Sequence, residues 1–142
     1  MSSARLAYST PRLIAIANVP IVAVVAWLLG RSLAWPLTGD AAIFHFMAGQ
    51  FLIGLVPYRD LADINMLLLY GIHAAVVAIG GMSDAAWRAF DLLAAAVMSV
   101  LIAMLVRPAG LAAAALAVLA MLATHLLLGP YAAGQRDYLV AK

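Results

Sequence analysis

The chain has 142 residues, of which 68% are hydrophobic and only 10% are charged, whereas roughly 25% of the residues in an ordinary soluble domain are charged. This composition predicts an all-α integral membrane protein whose first partner is the lipid bilayer. The net charge of +2 comes from scattered arginines, so it indicates membrane topology and no nucleic-acid partner. Without cysteine, and with three widely spaced histidines, disulfides, cysteine nucleophiles and a zinc site are not expected.

The first apolar segment, Leu13–Gly30, follows two arginines and contains no charge. At about 1.5 Å of helix rise per residue, it nearly matches a hydrocarbon core of about 30 Å. Because it is longer than the core of a secretory signal and further apolar segments follow, we interpret it as an uncleaved signal anchor. The arginines before it favour a cytoplasmic N-terminus.

Three further apolar segments follow, and they differ in length and in polar content. The segments 89–106 and 109–130 are interpreted as membrane spans, the second of them uncharged and rich in alanine and leucine. The segment 65–81 is shorter and carries His73 near its middle, so it is interfacial, re-entrant or spanning. Three to four transmembrane helices are therefore expected. The three-span arrangement is preferred because it places Arg107 on the cytoplasmic side with the N-terminal arginines.

Charge gathers in the stretch Thr38–Asn65, between the first two apolar segments. This extracytoplasmic first loop is expected to contain a juxtamembrane helix that starts at Asp40 and ends near Gly54. Asp40 has two interpretations that do not exclude each other, an N-cap carboxylate or a general base held beside the membrane surface. Arg59 either pairs with the neighbouring Asp60 or offers its planar guanidinium to a phosphate.

Polar side chains also occur within and beside the apolar runs. Asp63 and Asn65 precede the second apolar segment, where either could cap a helix. His73 and His125 lie inside apolar runs, where polar groups are costly and often functional. The commoner outcome for such a lone histidine is a hydrogen bond to nearby backbone. His45 lies on the juxtamembrane helix.

Two stretches of the sequence carry a resemblance to a known family. The first comprises Asp40, Ala48, Gly54, "PYRD" (Pro57–Asp60), Asp63 and "N-x-L-L-x-Y" (Asn65–Tyr70), and the second is "GQRDYL" (Gly134–Leu139). In this order they resemble the first and second extracytoplasmic loops of polytopic GT-C-type glycosyltransferases. That superfamily includes the dolichyl-phosphate-mannose protein mannosyltransferases and the aminoarabinose transferase of lipid A. Ala41 stands where the family usually has a second acidic residue, and Met66-Leu67 replaces Pro-Pro.

The resemblance implies a membrane glycosyltransferase that moves a sugar from a polyprenyl-phosphate donor to an extracytoplasmic acceptor. It implies catalytic roles for Asp40 and Asp137, as base or metal-site carboxylates that face each other. The substrate-binding candidates that it implies are Arg59, Asp63, Asn65 and Arg136. A divalent cation is a possible cofactor. The implied location is the cell inner membrane, within the cell envelope, as a multi-pass protein.

Relatives of this type are longer and have many more spans. Residues 1–142 are therefore expected to form a single membrane domain, the N-terminal part of a truncated or split GT-C-like module. A second polypeptide would complete the fold, and this chain alone could be inactive. Two other classes stay open: a non-catalytic small multi-pass membrane protein, acting as an assembly partner or surviving as a degenerate remnant, and a transporter or channel subunit that uses His73 and His125.

Overall fold

The computed structural model describes residues 3–61, 67–131 and 133, with side chains from residue 18 onward. Within these residues the chain contains five α-helices, one 3-10 helix and no β-strand, apart from an isolated bridge between Pro57 and Leu61. The predicted all-α class is confirmed. The helices in chain order are α1 (Ser3–Ser32), α2 (Gly39–Leu52), α3 (Leu67–Gly80), α4 (Asp84–Val106), the 3-10 helix (Arg107–Ala109) and α5 (Leu111–Leu127).

Each of the four apolar segments lies largely within one helix, but several predicted boundaries differ, and α1 begins at Ser3 instead of Leu13. Helix α4 begins before the predicted 89–106 because Ser83 caps it: the Ser83 hydroxyl accepts a hydrogen bond from the Ala86 backbone N–H at 3.1 Å. Helix α5 ends before the predicted 109–130 because Gly129 has a φ of 76° and Pro130 follows it. A glycine in the left-handed region and a proline beyond it both stop a helix.

In the part of the chain that the structure describes, one helical stretch, Asp84–Ala109, is long and apolar enough to cross a membrane by length and composition. Three shorter apolar helical stretches accompany it: Asn18–Ser32, Leu67–Gly80 and Leu111–Leu127. At about 1.5 Å per residue, the last two fall short of a hydrocarbon core of about 30 Å. The number of spans therefore stays a prediction.

The chain divides into two compact units. The first contains α1 together with Ala94–Leu127, and in it α5 packs closely against α1. Val25 of α1 and Ala114 of α5 are buried in this unit. The alanines of α5 have little side-chain bulk, so a neighbouring helix can approach closely.

The second unit contains Leu33–Leu93 and the residues from Leu128 onward. Here α2 packs against α3. The buried side chains of α2 recur at the i, i+3, i+4 and i+7 spacing that forms one face of a helix; they are Ala41, Phe44, His45 and Ala48. Ala41 packs with Val76 of α3 and Trp87 of α4, so the first turns of α4 complete the core of this unit.

Candidate functional site

The site predicted from the sequence begins at the N-terminus of α2. The N-cap position is Thr38, whose backbone is extended and whose hydroxyl makes no capping hydrogen bond. Asp40 lies in the first turn and is exposed, so the prediction that Asp40 is the N-cap is wrong. The N-terminus of a helix carries a partial positive charge that favours a nearby carboxylate. Asp40 is therefore an accessible carboxylate on a defined helix end.

The segment that follows α5 returns to this helix end. A Cβ added to Gly39, next to Asp40, would lie 3.2 Å from a ring carbon of Tyr131, so Tyr131 lies directly against the start of α2. The indole N–H of Trp87 donates a hydrogen bond to the Ala133 carbonyl at 3.4 Å. Two contacts therefore hold the end of the described chain within the same unit as Asp40.

The predicted end of the juxtamembrane helix at a glycine is confirmed. Gly54 has a φ of 101°, which a residue with a side chain rarely adopts. Its N–H donates to the Phe51 carbonyl at 3.0 Å, and the Leu55 N–H donates to the Gln50 carbonyl at 3.1 Å. This pair of bonds forms a Schellman motif, which directs the chain out of α2 and into the "PYRD" stretch.

Residues Val56–Asp60 form a closed turn. The Val56 carbonyl accepts hydrogen bonds from the Arg59 and Asp60 backbone N–H groups at 3.3 and 2.9 Å. The Asp60 carboxylate accepts one from the Val56 N–H at 2.8 Å. Tyr58, at the tip, has a φ of 66°, and its ring meets Tyr70 of α3 edge to face, with the centroids 6.3 Å apart. The turn therefore lies against α3 and directs Arg59 outward.

Arg59 pairs with Asp60, which is one of its two predicted outcomes. Its Nε and Nη2 donate to the two Asp60 carboxylate oxygens at 3.0 and 2.8 Å. This bond lowers the pKa of Asp60, with help from the Val56 N–H, and it raises the pKa of Arg59. The Arg59 side chain is 71% exposed, and exposed ion pairs contribute little stability. A phosphate could therefore compete with Asp60 for the guanidinium.

The structure also brings together two histidines that sequence reasoning treated separately. Nδ1 of His45 on α2 lies 3.4 Å from Nδ1 of His73 on α3. His73 stacks on the Trp87 indole, with the ring centroids 3.9 Å apart and the planes 9° apart. Both imidazoles are buried, at 2% and 0% exposure. The expectation of a lone His73 is therefore wrong, because its partner comes from a helix that the sequence spacing does not connect to it.

Charged groups at the start of α4 fix the segment before α2. An oxygen of the Asp84 carboxylate accepts a hydrogen bond from the Leu37 backbone N–H at 3.0 Å. The Arg88 guanidinium lies over the Trp35 ring, 4.7 Å from its centroid, and pairs with the buried Asp91 one turn further along α4. Together these contacts tie the approach to Asp40 to α4.

Two of the six predicted site residues, Asp40 and Arg59, lie in the part of the chain that the structure describes. The other four lie outside the described residues: Asp63, Asn65, Arg136 and Asp137. Within the described ranges no group of three or more His, Cys, Asp or Glu residues could hold a metal ion. The predicted meeting of Asp40 with Asp137 thus stays a prediction.

Comparisons with known proteins give no match. No protein-family model matches the sequence, no curated protein matches it, and no solved structure matches the chain. The function is therefore inferred from the residues and their positions.

Proposed function

We propose that this chain forms the first membrane helices and the first extracytoplasmic loop of a GT-C-type glycosyltransferase. The donor in this proposal is a sugar linked to polyprenyl phosphate, and the acceptor is a hydroxyl group outside the cytoplasmic membrane. The loop residues 38–65 and the segment 134–139 form the active site, at the outer surface of the bilayer. A second polypeptide, or further spans, encloses the lipid-linked donor.

The surface of α4 supports a membrane location. Only 11% of its apolar window is buried within the chain. Large apolar side chains stand exposed along it, including Leu93, Val97, Leu101 and Leu105. A soluble chain rarely exposes a continuous apolar face of this size, whereas lipid tails solvate such a face without cost.

One observation carries the catalytic proposal: Tyr131 lies against Gly39, the residue next to Asp40. The "GQRD" stretch begins three residues after Tyr131 in the sequence. Between Ala133 and Asp137 the chain reaches at most about 14 Å, since an extended chain spans about 3.3–3.6 Å per residue. A starting point this close to α2 makes it feasible for two carboxylates far apart in sequence to flank one donor headgroup.

In the proposed reaction, Asp40 acts as a general base. Its carboxylate takes the proton of the acceptor hydroxyl while that oxygen bonds to the anomeric carbon of the sugar. The bond between the anomeric carbon and the phosphate oxygen breaks with its electron pair, so polyprenyl phosphate leaves and the anomeric configuration inverts.

Arg59 is the described candidate for binding the phosphate. The turn holds it at the surface, and its neighbour Asp60 already occupies a bidentate position on its guanidinium. A phosphodiester presents two non-bridging oxygens that can accept the same pair of hydrogen bonds, and it gains a second negative charge as its bond to the sugar breaks. Exchange of Asp60 for the donor phosphate would therefore stabilise the leaving group as negative charge develops on it.

The test uses membranes that contain the full chain with whatever polypeptide completes it, supplied with radiolabelled polyprenyl-phosphate sugars. Asp40→Asn should lower transfer by about 100-fold or more, the usual contribution of a general base. Asp84→Asn is the comparison, because Asp84 is also an exposed carboxylate in the first turn of a helix; its amide oxygen can still accept the Leu37 N–H hydrogen bond, so transfer should change little. Transfer retained by Asp40→Asn at equal protein abundance would remove Asp40 from the mechanism.

The second candidate is a non-catalytic multi-pass membrane protein whose charges set topology and fix loops. The mutual pairing of Arg59 and Asp60 favours it, because that pairing satisfies both groups without a substrate. Under this function Asp40→Asn and Asp84→Asn change only protein abundance or insertion. No sugar would be transferred by the unsubstituted chain in any of its complexes.

A further inference from the structure

The contact between His45 and His73 constrains the protons that the two rings can carry. A hydrogen bond between two Nδ1 atoms needs one ring with its proton on Nδ1 and the other with a bare Nδ1. Of the two neutral rings, the donor therefore has a bare Nε2 and the acceptor has a protonated Nε2. Both Nε2 atoms are buried and have no hydrogen-bond partner among the described residues.

An additional proton has no favourable position in this arrangement. If it binds the bare Nδ1, two N–H donors face each other across 3.4 Å and the hydrogen bond is lost. If it binds the bare Nε2, the cationic N–H is buried with no acceptor within hydrogen-bond distance, and for His45 the Gly81 backbone offsets the cost of burial only in part. The Trp87 face stacked on His73 would attract a cation, but it supplies no hydrogen-bond acceptor. Burying such a charge is unfavourable.

We propose that His45 and His73 form a proton-operated latch that holds α2 against α3. The latch is closed while both rings are neutral and opens when either ring takes up a proton, because water then reaches the imidazolium. Opening releases the helix whose first turn carries Asp40. The latch is a property of the fold and does not depend on transferase activity.

Among the described residues, few charged or titratable groups lie around the pair. On α4, the negative charge of Asp84 favours protonation of His45, and Arg88 and Asp91 pair with each other. On α3, Tyr70 lies one turn before His73, and its ring contacts Phe44. Burial lowers the pKa of His45, and the Gly81 backbone and the Asp84 charge oppose that shift. The desolvation of His45 outweighs its acidic neighbour.

The direction of the pH dependence follows from linkage. The ordinary pKa of histidine is 6.5, and the pKa of His45 is lower than this in the closed state. At a pH below 6.5, the closed state therefore binds fewer protons than the open state. The closed state therefore loses stability as the pH falls below about 6.5. Between about pH 7.5 and pH 5, one such histidine raises the open fraction by up to about 30-fold.

The latch is measured with a single introduced thiol, since the chain contains no cysteine. Ala41→Cys places it on the buried face of α2, where Ala41 is 2% exposed and packs on Val76 and Trp87. Ala85→Cys is exposed at the start of α4 and corrects for the intrinsic pH dependence of thiol chemistry. The ratio of the two labelling rates should rise from pH 7.5 to pH 5, by up to about 30-fold for one such histidine. A constant ratio would overturn the latch.

Substitution then shows whether the two histidines are responsible. In the Ala41→Cys background, both histidines are replaced by asparagine (His45→Asn and His73→Asn). The asparagines keep a polar group near each Nδ1 position but do not titrate, so the increase in the labelling ratio at low pH should disappear. His125→Asn, at a histidine that is buried in the other unit, should keep it. A rise that persists without His45 and His73, or disappears with His125→Asn, contradicts the proposal.

A measurement on the unsubstituted chain covers the case in which the double variant does not fold. Nitrogen NMR of ¹⁵N-histidine-labelled protein follows the protonation of each imidazole directly. The protonation of His45 and His73 should coincide in pH with the increase in Ala41→Cys labelling. Protonation of both rings without any increase in labelling would show that the charge is accommodated in the closed state, and the latch would be refuted.

Discussion

The contact between Gly39 and Tyr131 predicts an unusually large effect for a small substitution. In Gly39→Ala, the new methyl group meets two obstacles. The left-handed φ of 58° at Gly39 costs a residue with a side chain roughly 1–2 kcal/mol. The added Cβ would lie 3.2 Å from the Tyr131 ring, and displacing that ring adds about 1 kcal/mol, the lower end of the overpacking range. Together they predict a loss of about 2–3 kcal/mol.

Two other glycines separate these contributions. Gly54 has a φ of 101° and no atom within 4 Å of an added Cβ. Gly54→Ala should therefore cost only the roughly 1–2 kcal/mol of the left-handed backbone conformation. Gly71 lies inside α3 and also has open space around it. Gly71→Ala should therefore stabilise the protein by about 0.5–1 kcal/mol, the usual gain in a helix interior.

The assay is reversible unfolding of the purified chain in detergent micelles, followed by tryptophan fluorescence. A double-mutant cycle of Gly39→Ala with Tyr131→Ala isolates the steric part, since removal of the ring should recover about 1 kcal/mol. If Gly39→Ala costs no more than Gly54→Ala, Tyr131 does not lie against α2. The support for a meeting of the two predicted catalytic segments would then be lost.

Two further predictions concern local contacts. Ser83→Ala removes the cap of α4 and should cost about 1 kcal/mol of unfolding free energy, whereas Ser83→Thr keeps the hydroxyl and should cost much less; equal losses would contradict the capping role. Arg59→Gln removes the main cause of the lowered Asp60 pKa, so that pKa, measured by carboxyl NMR, should rise toward 3.8. Because the pKa of Asp60 is lowered in the folded turn, the ion pair stabilises the turn at a pH above the ordinary carboxyl pKa, and this stabilisation is lost as the pH falls through the lowered pKa. An unchanged Asp60 pKa in Arg59→Gln would show that the pair does not form.

The helices and their approximate limits could be predicted from the sequence. Long apolar runs need helical hydrogen bonding to satisfy their backbone, and glycine or proline interrupts them, so each predicted segment corresponds to a helix. Gly54 was predicted correctly because a left-handed residue at a helix end is a local requirement. The start of α4 differs from the predicted 89–106 although Ser83 is a typical capping residue, since the prediction followed the apolar run alone.

The sequence by itself determined an all-helical chain with a charged, accessible stretch between its first two apolar runs, because the length of an apolar run and the positions of glycine and proline act locally. Only the tertiary structure decided that His45 meets His73 across 28 residues, that Tyr131 lies against Gly39, and that the buried Arg88 guanidinium lies over the Trp35 ring. Such contacts depend on which helix faces pack together, and that choice is the sum of many weak interactions between residues far apart in the chain. The α2 face at Ala41, Phe44 and Ala48 shows this, because its apolar side chains could have packed on any other helix.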